Sequence, residues 1–368
     1  MAGRHKPRSG SMAYYPRKRS KTETIHFGTH AKKEHKTCKA LDFFGYKAGM
    51  THVIGKIAQQ KSHLYGQEVS VSATVIECPP LKVVGVKSYG LNETRYGTRV
   101  LSQLWWNKHD KGLLKKIPSL KKHKKEADWK TIENDPKHIL FLRLVAQTQP
   151  DKTNFGKKKS DLVELSLSGT LEQQLEFAKS KFGQAIPVSE VFAEKQFIDV
   201  KAVTKGKGIQ GPVKRFGVKN FGHKAKYHNR IGTLGPWHPA TIMFTVARPG
   251  QMGYHTRTDF NKRILMLSDK IEEVNPGAGF QHYGPVQNEF LLVAGTVPGP
   301  AKRLIGLREP MRNTPSHKWN FSELSFISTK QPATFAEGAE EEAKAKKVSA
   351  NVMRDLAVKA EAGKAQKI

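Results

Sequence analysis

Between Lys201 and Thr258 the chain carries 11 Lys or Arg and 4 His, and not one Asp or Glu. With 32 acids in 368 residues, about five would fall in a stretch of this length by proportion. A solvated surface normally mixes both signs of charge. Excluding every carboxylate over such a length implies that the segment lies against a polyanion. It is expected to build an interface rather than an acid–base catalytic centre, because it has no carboxylate to offer.

The rest of the composition points the same way. The formal net charge is +31, an excess that repels itself in an isolated compact chain and favours nucleic acid or an anionic surface as partner. No run of 18 apolar residues exists, so no segment is expected to span a bilayer, and a membrane is the weaker option. The N-terminus has no apolar core of the kind a secretory signal needs. A mitochondrial transit peptide is a rival reading of the acid-free residues 1–22, but Pro7, Gly10 and Pro16 break an amphipathic helix there. Two cysteines, Cys38 and Cys78, cannot build a disulfide framework or a zinc ribbon, and fit a reducing cytoplasm.

Residues 1–39 hold 11 Lys or Arg against Glu23 and Glu34, with no apolar periodicity to fold on. In the run Met12-Ala-Tyr-Tyr-Pro-Arg-Lys-Arg19 the cations suit phosphates, and Tyr14 and Tyr15 offer faces for base stacking. The alternative is a flexible basic tail or an address signal. From Ala40 apolar stretches with glycine punctuation begin. Strands are expected at Val69–Glu77, Leu81–Lys87, Arg99–Trp105, His138–Val145, Arg263–Leu267 and Phe290–Ala294, and Pro298–Arg303 reads as a rigid turn leading to Leu304–Arg308. That spacing suggests a barrel or a sandwich. The Lys-rich residues 106–138 read as a partly helical insertion. A capping box at Thr170–Gln173 opens a helix to about Phe182, with Leu171, Leu175, Ala178 and Phe182 on one face. A second short helix is expected near Ser189–Lys195. From Gln331 the chain turns Ala/Glu/Lys-rich, as a peripheral helix or a disordered tail.

Three local patterns bear on chemistry. Gly206-Lys-Gly-Ile-Gln-Gly211 lacks the Lys-Ser/Thr of a Walker loop, and Pro212 opposes the helix that a dinucleotide fingerprint requires. Its glycines can instead let backbone amides approach anionic oxygens while Lys205, Lys207, Lys214 and Arg215 supply charge. His223, His228 and His238 come with no paired cysteine and no His-Glu-x-x-His run, so contact with phosphate or ribose is favoured over a metal. Gly235-Pro-Trp-His-Pro239 brackets Trp237 between prolines, either as a core tryptophan holding a hairpin or as a loop tip that stacks on nucleotides.

The unbroken run FAEKQFIDVKAVTKGKGIQGPVKR carries a known pattern at Phe192, Asp199, Ala202, Thr204, Gly206, Lys207, Gly208, Gly211 and Arg215. Further matches are Pro16–Arg19, Phe44–His52, Gly235–Pro239, Val246–Gln251, Gly253–Thr258 and Val297–Arg303. Over roughly residues 4–310 the chain resembles the universal large-subunit ribosomal protein L-three family in its archaeal and eukaryotic form, and looks more archaeal. The resemblance implies a mainly β fold: a six-stranded translation-protein-type β-barrel with an inserted α+β domain and long basic extensions that penetrate ribosomal RNA. It implies binding near the 3′ end of the large-subunit RNA, a part in nucleating assembly, and ribosomal proteins L-fourteen and L-twenty-four-e as neighbours. A central loop would reach toward the peptidyl transferase centre with Trp237 at its tip. Bacterial members carry a modifiable glutamine near that tip; Trp237-His238 stand here instead, so the modification does not carry over. The tail after about Gln331 matches no family motif.

The expected organisation is a basic arm at 1–39 and the first part of the barrel at 40–105. An inserted domain follows at 106–190, and the rest of the barrel lies at 191–215 and 259–310. A central finger occupies 216–258, and a C-terminal extension 311–368. The residues expected at RNA are Arg4, Lys6, Arg8, Tyr14, Tyr15, Arg17, Lys18 and Arg19 of the arm, and Lys205, Lys207, Lys214 and Arg215 at the finger root. In the finger they are Lys219, His223, Lys224, Lys226, His228, Arg230, Trp237, His238, Arg248 and Arg257, with Gly206, Gly208 and Gly211 as points of phosphate approach. No catalytic residue, metal, cofactor or small-molecule substrate is expected. The two rival functions are an RNA-acting enzyme using His223, His228 or His238, and a chromatin-like binder indifferent to RNA or DNA.

Overall fold

The computed structural model describes residues 7–28, 30, 35, 37–92, 96–122, 128–133, 138–220, 231–312 and 320–328. Arg4, Lys6, His223, Lys224, Lys226, His228, Arg230 and the tail from 331 therefore lie outside the described residues. The chain is mainly β with few helices. The first strands are β1 (Asp42–Ile57), β2 (Glu68–Glu77), β3 (Leu81–Leu91), β4 (Thr98–Trp105), β5 (Ile139–Gln147), β6 (Leu162–Ser166) and β7 (Ala185–Ile186). They are followed by β8 (Phe197–Val203), β9 (Gly206–Gln210), β10 (Gly250–Gly253), β11 (Thr256–Ser268), β12 (Phe290–Ala294), β13 (Leu304–Arg308) and β14 (Phe321–Ile327). The α-helices are α1 (Lys111–Lys116), α2 (Lys130–Glu133), α3 (Leu171–Lys181) and α4 (Pro212–Phe216).

The main sheet runs β13-β8-β11-β12-β2-β1-β14, with an additional pairing of β13 to β1 that brings its order back round to β1. All these pairings are antiparallel. β1 is buried throughout Asp42–Ala48 and then alternates. Its first half packs on both faces: Phe44 lies 6.0 Å from Phe27 of the arm, and Tyr46 sits edge-on to Phe155 at 4.9 Å. β12 and β13 are short, apolar and buried at every position. Fully buried β-branched and aromatic strands of this kind stabilise mainly by removing apolar area from water, about 25 cal/mol per Å².

A second sheet runs β4-β3-β5-β6, with β7 on the outer part of β3. The expected division at 105 therefore shifts. Residues 81–105 belong to this second sheet, because Pro79-Pro80 ends β2 and the chain restarts as β3 paired to β5 from Lys82↔Gln147 to Gly90↔Ile139. One face of the second sheet joins the main core through Val83, Val86, Leu142 and Leu144. On its other face Val84 and Val145 pack with Leu113 of α1 and Leu120.

α3 starts where the capping box places it, with the Thr170 amide donating to Gln173 Oε1 at 3.2 Å. Ala178 is buried, and Leu171, Leu175 and Phe182 pack against the core. The helix expected at Ser189–Lys195 is only a 3-10 turn at Val188–Glu190, and Lys195 has φ 59°, which an α-helix cannot continue through. Conversely, Pro212 starts a helix instead of opposing one. It occupies the first turn of α4, where its missing N–H is an orphan position anyway, and Gly217 closes the helix at φ 67°. β14 lies in what reads from sequence as part of a C-terminal extension. It continues the main sheet alongside the second half of β1.

Candidate nucleic-acid interface

The acid-free stretch leaves the main sheet at Val203, where β8 ends. β9 and β10 then pair antiparallel as a separate two-stranded ribbon, and β11 re-enters the main sheet at Thr256↔Val203. The segment between is bounded by α4 on one side and by β10 on the other. Arg215, on α4, ties the two together. Its Nε donates to the carbonyl of Gln251 at 2.9 Å, its Nη1 to that of Arg248 at 3.0 Å, and its Nη2 to that of Arg17 at 2.9 Å. With no carboxylate in the segment, the guanidinium is satisfied by main-chain carbonyls, and its planar fork suits three divergent acceptors.

The N-terminal arm lies against this root. Arg17 Nη1 donates to the Arg215 carbonyl at 2.7 Å, so the two arginines exchange bonds with each other's backbone. The Arg17 guanidinium also sits 4.3 Å from the Phe216 ring centroid. Tyr15 stacks on Phe216 at 6.0 Å and meets Phe244 edge-on at 5.9 Å. Arg8 donates to the carbonyl of Thr245. Arg257 stands over the Tyr14 ring at 4.5 Å. Farther along, the Ser20 amide donates to the Tyr254 carbonyl at 2.8 Å, and Tyr254 donates its hydroxyl to Glu23 at 2.8 Å.

The cations gathered here perturb one another. Burial, reinforced by Arg17, lowers the affinity of Arg215 for its proton, and burial with Arg17 does the same to Arg257. Burial depresses His255 as well, with Arg257, Arg215 and Arg17 adding to the effect against the opposing Lys18 carbonyl. The arginines stay charged, being far above neutral pH. Arm and finger root thus form a half-buried positive cluster without a neutralising carboxylate at its centre.

Around this cluster the other expected residues are exposed. Arg8, Lys18, Arg19, Lys205, Lys207, Lys214, Lys219 and Arg248 face solvent. Gly208 has φ 64° and open space where a Cβ would stand, so its backbone is approachable; Gly206 lies in β9, and Gly211 precedes α4. Trp237 is 91% exposed, with His238 exposed beside it and Ile242, Met243 and Phe244 also uncovered. That excludes a core tryptophan and leaves the indole facing solvent on an irregular stretch. Among the described residues no group of three or more His, Cys, Asp or Glu is placed to hold a metal.

Lys47 was not among the residues expected at an interface. It lies on β1 between Tyr46 and Ala48, both fully buried, and its Nζ donates to the carbonyls of Val297 at 2.8 Å and Gly299 at 3.3 Å. Burial, together with the charge of Lys205, pulls its pKa down to about 8. The one available signal in the sequence was a single cation inside the apolar run Phe43–Ile54.

The family model described as ribosomal protein L3 matches residues 1–353. The match extends past Gln331 into the Ala/Glu/Lys-rich tail, where no motif was legible. Among similar proteins, the large ribosomal subunit protein uL3 of Archaeoglobus fulgidus is 43% identical over 330 residues, covering 88% of this chain and 97% of that protein. The protein of the same name from Methanococcus aeolicus is 40% identical, covering 89% of this chain and 97% of its own length. That of Methanocaldococcus jannaschii is 40% identical, covering 88% and 97%. These relatives are archaeal, in keeping with the archaeal cast of the motifs. The chain belongs to the ribosomal protein L3 family, whose members are structural ribosomal proteins and not enzymes.

Proposed function

We propose that this chain is a structural constituent of the large ribosomal subunit, held in ribosomal RNA by its arm and its acid-free finger. The observation that carries the reading is the junction of Arg17, Arg215 and Arg257, where two extensions remote in sequence bring cations together without a carboxylate between them. Self-repulsion makes such a cluster unfavourable alone, and surrounding phosphates convert it into an attraction. Exposed lysines around the cluster and the aromatic tip at Trp237 supply backbone contacts and a stacking surface.

In this reading the succession of pairings β1–β2–β12–β11–β8–β13–β1 is the family's six-stranded barrel. The second sheet with α1 to α3 is the inserted α+β domain, starting nearer 81 than 106. Residues 1–39 are an RNA-ordered arm, 216–258 the finger and 311–368 an extension that begins with β14. The arm and finger residues named from sequence are the RNA contacts. The protein binds near the 3′ end of large-subunit RNA, helps nucleate assembly in the cytoplasm, and directs Trp237 toward the peptidyl transferase centre, beside ribosomal proteins L-fourteen and L-twenty-four-e.

Sucrose-gradient fractionation of lysate at moderate and high salt tests this. Co-sedimentation with the large subunit at both salt concentrations is expected; recovery mainly as free protein would overturn the reading. Trp237→Ala should assemble into subunits yet alter chemical probing of RNA near the peptidyl transferase centre.

A further inference from the structure

Beside the arm–finger junction lies a cavity of about 470 Å³ whose wall comes from six separated parts of the chain. The arm contributes Arg17, β1 contributes Lys47, the β8–β9 turn and β9 contribute Lys205 and Lys207, α4 contributes Arg215, and β11 contributes Arg257. Thr204, the backbone near Gly253 and the turn Thr296–Gly299 complete it, with Met50, Met252 and Val297 as apolar wall. Six cations and His255 line the space, and none of its lining residues is a carboxylate.

We propose that this cavity is a socket for one phosphate group, with Lys47 and Lys205 as its principal ligands; the proposal rests on the reading of the chain as an RNA-binding protein and assigns a specific site to it. Lys47 is positioned from behind. Two of its three ammonium protons go to the carbonyls of Val297 and Gly299, which fixes the side chain and leaves one donor. Lys205 and Lys207 are exposed, and their ammonium groups make no hydrogen bond or ion pair among the described residues, their backbone carbonyls accepting from Tyr254 and Gln210. The three arginines are already held, so they frame the socket as fixed positive charge. The apolar wall lowers the local dielectric, which strengthens attraction to an anion and deepens the repulsion among cations when no anion is present. The carboxylate that opposes this effect on Lys47 is Asp259, which is not part of the wall. Depressed proton affinity at Lys47 agrees with a site short of negative charge.

Backbone phosphate of RNA and a free phosphate compound share this chemistry, and the test separates them. Full-length protein is titrated with pyrophosphate by calorimetry at constant ionic strength. Wild type should show saturable one-to-one binding. Lys47→Met and Lys205→Met should each weaken it about ten-fold, as expected for loss of one hydrogen bond to a charged group. Lys270→Met, an exposed lysine that does not line the cavity, should leave binding unchanged. Because replacing the buried Lys47 also perturbs the fold, wild-type acylation of Lys205 and Lys207, read by mass spectrometry, gives an independent measure. Pyrophosphate should protect both. Equal protection by a large-subunit RNA fragment, displaced by pyrophosphate, identifies the occupant as backbone phosphate. Protection by pyrophosphate alone identifies a free phosphate compound. No saturable binding, or equal weakening by Lys270→Met, overturns the socket. If the RNA fragment still binds in that case, the broader reading stands; if pyrophosphate binds and the RNA does not, that reading falls alone.

Discussion

Lys47 places an ammonium group where apolar side chains would otherwise close the core, and the consequence is a measurable pH dependence. Its pKa falls from 10.5 to about 8 on folding, chiefly through burial. Between those values the unfolded chain still holds the proton that the folded chain has released, so stability rises with pH across this window. Below pH 8 both states are protonated and the contribution is flat and unfavourable. Denaturant unfolding of wild type and Lys47→Met in phosphate-free buffer should therefore converge by about 2 kcal/mol between pH 7.5 and 9.5, with the wild type gaining. Parallel pH profiles would refute the assignment. Arg215 makes a different prediction, because its role depends on shape more than on charge. Arg215→Lys keeps the charge but cannot reach the carbonyls of Arg17, Arg248 and Gln251 together. Trypsin should cut the arm near Arg17–Arg19 roughly ten-fold faster in that variant, since each lost bond to a charged group is worth about 1.5–3 kcal/mol. Unchanged cleavage would show that the aromatic contacts of Tyr15 hold the arm without it.

At the scale of elements, the finger depends on the ribbon at its base. Gly253 has φ 73°, and a Cβ there would lie 2.1 Å from the Lys205 carbonyl oxygen. Gly208 has φ 64° but faces open space. Gly253→Ala should therefore lower unfolding stability by about 2–4 kcal/mol, and Gly208→Ala by only about 1–2 kcal/mol for its left-handed backbone. Equal losses in thermal unfolding would mean that the ribbon shifts to accommodate the methyl group. The elements themselves were legible where hydrophobic pattern alone decides them: β2, β5 and β12 stand where alternating or continuous apolar runs place them. The capping box at Thr170 fixed the start of α3 because it is a local hydrogen-bond pattern. Sheet membership was not legible, since β3 and β4 carry the same strand signature as β2 and only the pairing with β5 assigns them elsewhere. Pro212 misled because a proline forbids the interior of a helix but suits its first turn. The socket was invisible for a related reason. Its cations at 17, 47, 205, 215 and 257 are scattered in sequence, and charge pattern shows that they exist without showing that they converge.

Across the whole molecule, positive and negative charge are used in different places. The chain has 63 Lys or Arg against 32 acids, and several of those acids bind the folded body together. Asp42 pairs with His30, Glu309 with His35 and Lys39, Glu164 with Lys87 and Arg143, and Asp199 with Arg308. The finger contains no acid to draw on, so its charge is left for a partner. This division makes RNA affinity, far more than folding stability, the property that salt should control. Each phosphate neutralised contributes about −0.9 to the slope of log affinity against log salt on duplex, or about −0.7 on single strand. About ten contacts would give a slope of roughly −7 to −9 for reversible binding to a large-subunit RNA fragment. Filter binding between low and moderate KCl should show it, and a slope shallower than about −3 would mean that the arm and finger do not engage phosphates together. Lys47→Met should reduce the slope by close to one contact, as loss of a phosphate ligand does, whereas Lys270→Met should leave it alone. A variant at Lys47 that weakened binding while keeping the wild-type slope would assign the lysine to the framework of the site, with the phosphate held by its neighbours.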